Sequence, residues 1–400
     1  MKKRFVLLLA FIIAFINLNT ASAYSILYED QARAIYAADL ETGLEFYKKN
    51  EDEILPIASM SKIMTYLLAM DEIKKGKISL DDEVTITKES AELNQFGYSR
   101  LELDEGEKVR FEDLISGMMI VSGNDAANAV AIHTFGSIKN FVNNMNKKAK
   151  ELGLESANFV NPSGITEYPK SEKEKVKLNV MSAKDLYKLS VHVVKNYPEV
   201  MKYGETEIFN IPSRNYSAES TIPLKDIKSR VGLKTGSTPE ALYGFTGLFD
   251  MKLEDETQDY RMISVVIGAE TKEVRNELTR EIYNYVTNNY AMKMELNPNI
   301  PLITKMDSST KQREIPLYPE KGIKKLMSKT NSMDVDYSID ESKKAPYEDG
   351  EILGKATLSY NGEVVDTINL INKGYVPKAT FIDNFIESIL EFFDKVIFLF

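Results

Sequence analysis

Ser59-Met60-Ser61-Lys62 sets a hydroxyl and an amine three residues apart. On a helix that spacing puts both on one face. A serine hydroxyl is a weak nucleophile until a neighbouring base takes its proton. A lysine can be that base only if its pKa falls, through desolvation or a second cation nearby. Two further triplets supply groups that suit this chemistry. Ser122-Gly123-Asn124 offers a hydroxyl for proton relay and an amide for a peptide carbonyl. Lys234-Thr235-Gly236 offers a cation and a hydroxyl for a carboxylate, and a glycine beside which a substrate backbone can lie. Each triplet alone also fits an ordinary surface lysine, a Ser/Asx turn or an edge strand. The ordered set S-x-x-K, S-x-N, K-T-G describes nucleophilic serine catalysis without histidine.

Composition limits the alternatives. There is no cysteine and only two histidines, His133 and His192, so disulfides and thiolate metal sites are excluded and a multi-histidine site is hard to build. No metal or other cofactor is expected. The formal charge of −10 makes the chain a poor nucleic-acid binder.

The elements that must position these residues follow from pattern. Lys2, Lys3 and Arg4, the apolar run Phe5 to Ile16, and Ala21-Ser22-Ala23 form an export signal over residues 1–23. Cleavage there leaves Tyr24 first, and an uncleaved anchor is the rival reading. Residues 24–49 read as a hairpin around Asp39–Gly43. A helical run from Met60 to Lys75, closed by Gly76, puts Ser59 at a helix N-terminus. Two helices, Phe111 to Val121 and Asp125 to Phe135, meet at the Ser122-Gly123-Asn124 corner. Helices over Ser137–Leu152 and Ser182–Asn196 follow, the second capped by Ser182. Strands over Gly232–Ser237, Tyr243–Phe249 and Met262–Gly268 and a helix over Val274–Tyr290 complete residues 24–292. The fold class is α+β, a sheet with helices packed on it.

Composition shifts near Asn297-Pro298-Asn299, and residues 297–378 read as a small β-rich domain with a hairpin at Asn361-Gly362. Residues 379–400 gather Asp383, Asn384, Glu387, Ser388, Glu391, Asp394 and Lys395 within an arc of roughly 140°. Phe381, Ile382, Phe385 and other apolar residues fill the rest. That pattern suits a helix lying in a membrane surface rather than spanning it. A helix docked on protein is the alternative, and the mainly acidic polar face gains nothing from anionic lipid.

Nearly the whole chain resembles the low-molecular-mass penicillin-binding proteins that are serine-type D-alanyl-D-alanine carboxypeptidases. The resemblance rests on Leu55-Pro56-Ile57-Ala58-Ser59-Met60-Ser61-Lys62, Ser122-Gly123-Asn124-Asp125, Asn161-Pro162-Ser163-Gly164 and Gly232-Leu233-Lys234-Thr235-Gly236-Ser237. It implies the serine β-lactamase/transpeptidase-like fold. It implies Ser59 as nucleophile, Lys62 as its base and Ser122 in proton transfer. Asn124 would bind substrate, and Lys234 and Thr235 the terminal carboxylate, beside Gly236. The N–H groups of Ser59 and Ser237 would form the oxyanion hole, with Arg214 a further carboxylate contact. The implied partners are peptidoglycan stem pentapeptides, β-lactams as covalent inhibitors, and a membrane surface outside the cytoplasm. Two places depart from the family pattern: Ser163 stands where histidine is common, and the segment after the third motif, Pro239-Glu240-Ala241-Leu242-Tyr243-Gly244-Phe245, departs from the usual alanine-glycine pattern. A β-lactamase or D,D-endopeptidase with the same Ser-Lys machinery, or a weakly catalytic penicillin-binding wall scaffold, are the competing readings.

Overall fold

The computed structural model describes residues 26–169, 171, 173–252, 259–360, 362–386 and 389. The export signal, Tyr24, Asn361 of the predicted turn and most of the 379–400 helix lie outside the described residues. Two compact units divide the chain, Met1–Asn288 and Asn289–Phe400.

The first unit is built on a five-stranded antiparallel sheet. Its strands are β1 (Ala34–Asp39), β2 (Glu45–Lys49), β3 (Lys234–Thr238), β4 (Leu242–Lys252) and β5 (Asp259–Ala269), in the order β2-β1-β5-β4-β3. The predicted hairpin is β1–β2, with a register shift between Ala37 and Ala38. All six residues of β1 are buried, because both faces of the sheet are covered. Tyr187, on a helix over Ala183–Asn196, packs edge-on against Tyr36 of β1 and donates to the Asp39 carbonyl. A helix over Lys272–Asn289 contributes the contacts of Tyr285 with Tyr47 and Tyr283 with Phe249.

The helical part surrounds α1 (Lys62–Lys74), where ten of thirteen residues are buried. A helix buried on nearly all sides shows no clean amphipathic stripe. Lys75 caps α1, and Gly76 follows with φ 70°, as a C′ glycine should. Next come α2 (Phe111–Ile120) and α3 (Asn124–Phe135), joined by the Val121–Gly123 corner. Ser137 and Ser182 cap the helices over Ile138–Glu151 and Ala183–Asn196 by accepting from Asn140 N–H and Asp185 N–H.

One expectation changes. Ser59 is not at the start of the α-helix but inside a 3₁₀ turn, Ala58–Ser61, that leads into α1. Ala58 has φ 46° there, and Ser61 Oγ closes the turn onto the Ala58 carbonyl at 2.7 Å. A tighter turn brings residues three apart into register, which suits a Ser59–Lys62 contact. The Asn161–Gly164 turn clamps this segment from outside. Thr65 Oγ1 donates to the Pro162 carbonyl at 2.6 Å, and Asn161 Oδ1 accepts from Gly164 N–H at 2.7 Å.

The second unit is β-rich. Strands Ile303–Met306, Glu314–Pro319, Glu363–Asn372, Ile352–Tyr360 and Asp334–Ile339 lie side by side in that order, and Tyr290–Leu296 pairs with Ile323–Ser328. Leu317, Leu353, Leu358 and Leu370 form its core. Residues 381–386 are helical, opened by a reciprocal cap between Thr380 and Asp383. No described helix is long and apolar enough to cross a membrane.

Gly164 shows how closely the clamp sits. Its φ is +82°, and a Cβ added there would lie 1.9 Å from the Ala58 carbonyl oxygen. Backbone cannot yield as a flexible side chain does. Gly164→Ala is therefore expected to destabilise the first unit by at least ~3 kcal/mol, read as a lower urea midpoint; an unchanged midpoint would show that the turn is free to move.

Candidate active site

Lys62 is fully buried, and its amine has three partners: Ser59 Oγ at 2.8 Å, Asn124 Oδ1 at 2.8 Å and the Ser163 carbonyl at 2.7 Å. The three partners fit an ammonium, with one N–H for each, and they also fit the neutral amine that a base must be. A neutral amine has two N–H bonds and one lone pair. Asn124 Oδ1 and the Ser163 carbonyl can only accept, so they take the two N–H bonds. The lone pair then faces a hydroxyl, which can donate. Burial drives the Lys62 pKa well below that of an ordinary lysine, and the charge of Lys234 lowers it further, against a small opposing pull from Asp125.

Lys234, on edge strand β3, is also fully buried. Burial, with the Arg275 guanidinium nearby, lowers its pKa to about 7. Its amine donates to the Thr235 carbonyl at 3.1 Å, and Thr235 Oγ1 donates to Thr221 Oγ1 at 3.0 Å. Gly236 is required where β3 crosses the nucleophile turn. A Cβ there would lie 2.7 Å from the Ile57 carbonyl oxygen and 3.1 Å from the Ser59 nitrogen. Ser122 is buried in the corner between α2 and α3, in the left-handed region at φ 66°. That conformation turns the chain so that Asn124, two residues on, begins α3 with its amide on Lys62.

A cavity of about 310 Å³ opens on half-buried Ser59. Ser99, Asn124, Gly164, Thr166, Ser237 and Thr238 contribute to its walls, with Tyr98 and Tyr168 among the remaining lining residues. Ser59, Lys62, Asn124 and Ser237 are thus gathered at one place, with Gly236 packed against the turn that carries Ser59.

Arg214 is not among them, which corrects its assignment as a carboxylate contact. Its guanidinium is bidentate with Glu107, at 3.0 Å through both Nε and Nη2. It also donates to the Leu101 and Glu102 carbonyls at 2.8 and 2.6 Å. These bonds commit its donors to the loop beyond the cavity wall. Asp125 pins the same loop from inside, accepting from Leu101 N–H and Leu103 N–H. Burial pushes its carboxyl pKa up against these bonds.

Arg275 was not legible as a site residue. It lies beyond β5, carries no local motif, and only the folded sheet brings its charge near Lys234. It is itself buried, which lowers its pKa to about 10. The Ser163 departure loses its weight, because Lys62 uses the carbonyl of residue 163 and not its side chain.

Comparison with known proteins places this geometry. Residues 19–271 match the D-alanyl-D-alanine carboxypeptidase family, and residues 302–378 match the C-terminal domain of penicillin-binding protein 5. The chain is 31% identical to the D-alanyl-D-alanine carboxypeptidase DacF of Bacillus subtilis, over 88% of this chain and 87% of that one. Penicillin-binding protein 5 from Haemophilus influenzae is similar in structure, with a TM-score of 0.62 and 25% identity over 87% of this chain and 98% of that one. Penicillin-binding protein D2 from Listeria monocytogenes, solved in a cefotaxime-bound form, matches 64% of this chain and 96% of its own length at 29% identity, with a TM-score of 0.55. The chain belongs to the D-alanyl-D-alanine carboxypeptidase family, serine-type peptidases that hydrolyse a peptide bond.

Proposed function

We infer that the protein removes the terminal D-alanine from peptidoglycan stem pentapeptides through an acyl-Ser59 intermediate. The observation that carries this reading is the amine of Lys62, buried and 2.8 Å from Ser59 Oγ. Lys62 takes the Ser59 proton as Oγ attacks the carbonyl carbon of the penultimate D-alanine. The N–H groups of Ser59 and Ser237 hold the oxyanion. Asn124 binds the substrate backbone, and Lys234 and Thr235 hold the terminal carboxylate, with Arg275 adding positive charge behind Lys234. Ser122 passes the proton to the leaving nitrogen, the C–N bond breaks, and D-alanine departs. Water then adds to the acyl-enzyme, and Ser59 regains its proton. A β-lactam enters the same way, its ring carbonyl acylating Ser59. Here the leaving nitrogen stays tethered to the acyl group.

Export to the outer face of the cytoplasmic membrane belongs to this proposal. The basic, apolar and small-residue order of residues 1–23 supports export. Exposed Phe381, Ile382, Phe385, Ile386 and Ile389 support attachment through the terminal helix.

Ser59→Ala is expected to abolish both D-alanine release and the mass increase on incubation with penicillin; release at the parental rate would overturn the reading. The two lysines set opposite limbs of the pH profile. Below its lowered pKa, Lys62 holds a third proton and cannot accept one from Ser59, so kcat/KM rises as pH rises through that value. Lys234 loses its charge as pH rises through about 7 in the empty site, so carboxylate binding weakens on the alkaline side. Lys234→Arg keeps its charge at any working pH. It should move the alkaline limb upward, and an unmoved limb would assign that limb to another group. Deleting residues 379–400 should transfer the protein from the membrane to the soluble fraction of its native cell; an unchanged membrane fraction would remove the anchor from the proposal.

A further inference from the structure

Beyond the catalytic groups, the cavity has a mouth whose chemistry the reaction does not use. Glu240 follows β3 in the turn to β4. Its carboxylate accepts from Thr166 Oγ1 at 2.5 Å and from Tyr168 OH at 2.8 Å. Both donors line the cavity, as do Thr238 and Pro239 just ahead of Glu240. Tyr98 lines it too, on the 97–99 wall, near enough to Tyr168 for the two phenols to influence each other electrostatically. Tyr98 is 41% and Tyr168 56% exposed, so both rings stand open to an entering ligand.

The carboxylate is half-buried and its partners are neutral. Arg33 touches the same residue but donates to its backbone carbonyl at 2.9 Å. Among the described residues no lysine or arginine forms an ion pair with the carboxylate. The bonds from Thr166 and Tyr168 favour its ionised form. Thr238 and the Glu240 N–H also bond to the carboxylate, so every one of these partners is neutral. An anion without a counter-charge, beside two open aromatic rings, is a site for a cation.

The direction of β3 says which part of a substrate reaches it. A carboxylate held at Lys234 and Thr235 puts the leaving residue at the start of the strand. The acyl part then runs past Ser237 and Thr238 toward Glu240. The first side chain able to reach Glu240 belongs to the residue just before the D-alanyl-D-alanine.

We propose that Glu240, framed by Tyr98 and Tyr168, selects donor peptides whose residue before the D-alanyl-D-alanine carries a side-chain ammonium group. This rests on the carboxypeptidase reading above and adds to it the class of stem peptide. The bland role for Glu240, a latch joining residues 166–168 to the β3–β4 turn, would serve all substrates equally.

The test compares two acyl tripeptides ending in D-alanyl-D-alanine, one with lysine before it and one with Nε-acetyl-lysine. D-alanine release by the full chain gives kcat/KM for each. The parent protein should prefer the free amine by about five- to tenfold, and added salt should shrink that ratio. Glu240→Gln keeps an oxygen acceptor and should bring the ratio close to one. The pair Thr166→Val and Tyr168→Phe removes the latch bonds but keeps the charge, and should retain the preference. No preference in the parent protein, a preference indifferent to salt, or an equal loss on both peptides in Glu240→Gln would overturn the inference. Release from neither peptide by the parent protein would instead bring down the carboxypeptidase reading, and this inference with it.

Discussion

The contact between Lys62 and Ser59 places an amine inside the protein, where burial lowers its pKa and brings the neutral form within reach. Moving an ammonium ion out of water costs several kcal/mol even after the protein relaxes. Shedding a proton avoids that cost, and the surroundings also suit the neutral amine that remains. In that form Asn124 and the Ser163 carbonyl accept its two N–H bonds, and its lone pair faces the Ser59 hydroxyl 2.8 Å away. Replacing either acceptor with a donor would leave the amine no place for its lone pair except away from the nucleophile. Much of the first unit follows from this demand. The 3₁₀ turn brings Ser59 round to Lys62, the left-handed Ser122 aims Asn124, and the 161–164 turn closes over Ala58 with no room for a side chain on Gly164.

Lys234 is buried by the same fold but treated differently. Its amine has only the Thr235 carbonyl as a hydrogen-bond partner among the described contacts, and Arg275 stands near it. It is thus undersatisfied where Lys62 is matched. That imbalance suits a group that must attract an anion: a carboxylate arriving beside Lys234 and Arg275 supplies the charge and the acceptors that the protein leaves out. The two lysines divide the labour by their partners, since their burial is the same.

How far the sequence discloses this depends on the range of each contact. The triplets are legible because each lies within one turn, corner or strand, where spacing alone sets geometry. Gly76 and Ser182 were legible as caps for the same reason. The α+β class came from helices and strands read separately, yet the strand order β2-β1-β5-β4-β3 joins residues more than two hundred positions apart. Arg214 was misassigned because the resemblance carries over a residue type but gives no sign of its partner, and its partner, Glu107, lies far back in the chain. Arg275 was missed for the converse reason, since nothing local distinguishes it. The 3₁₀ turn at Ser59 escaped because Ala58 and Met60 within it and Lys62 after it are ordinary helix formers, and tertiary clamping by the 161–164 turn decides its pitch.

The carbonyl of residue 163 has a consequence for how such a catalyst can vary. A contact made by a main-chain oxygen belongs to the path of the chain and survives exchange of the side chain. The turn's asparagine and glycine are held by a hydrogen bond and by lack of space, but residue 163, just before the glycine, delivers its oxygen whatever side chain it carries. A position that is part of the base's environment can therefore drift, or acquire a new wall chemistry, while the proton transfer it supports stays intact.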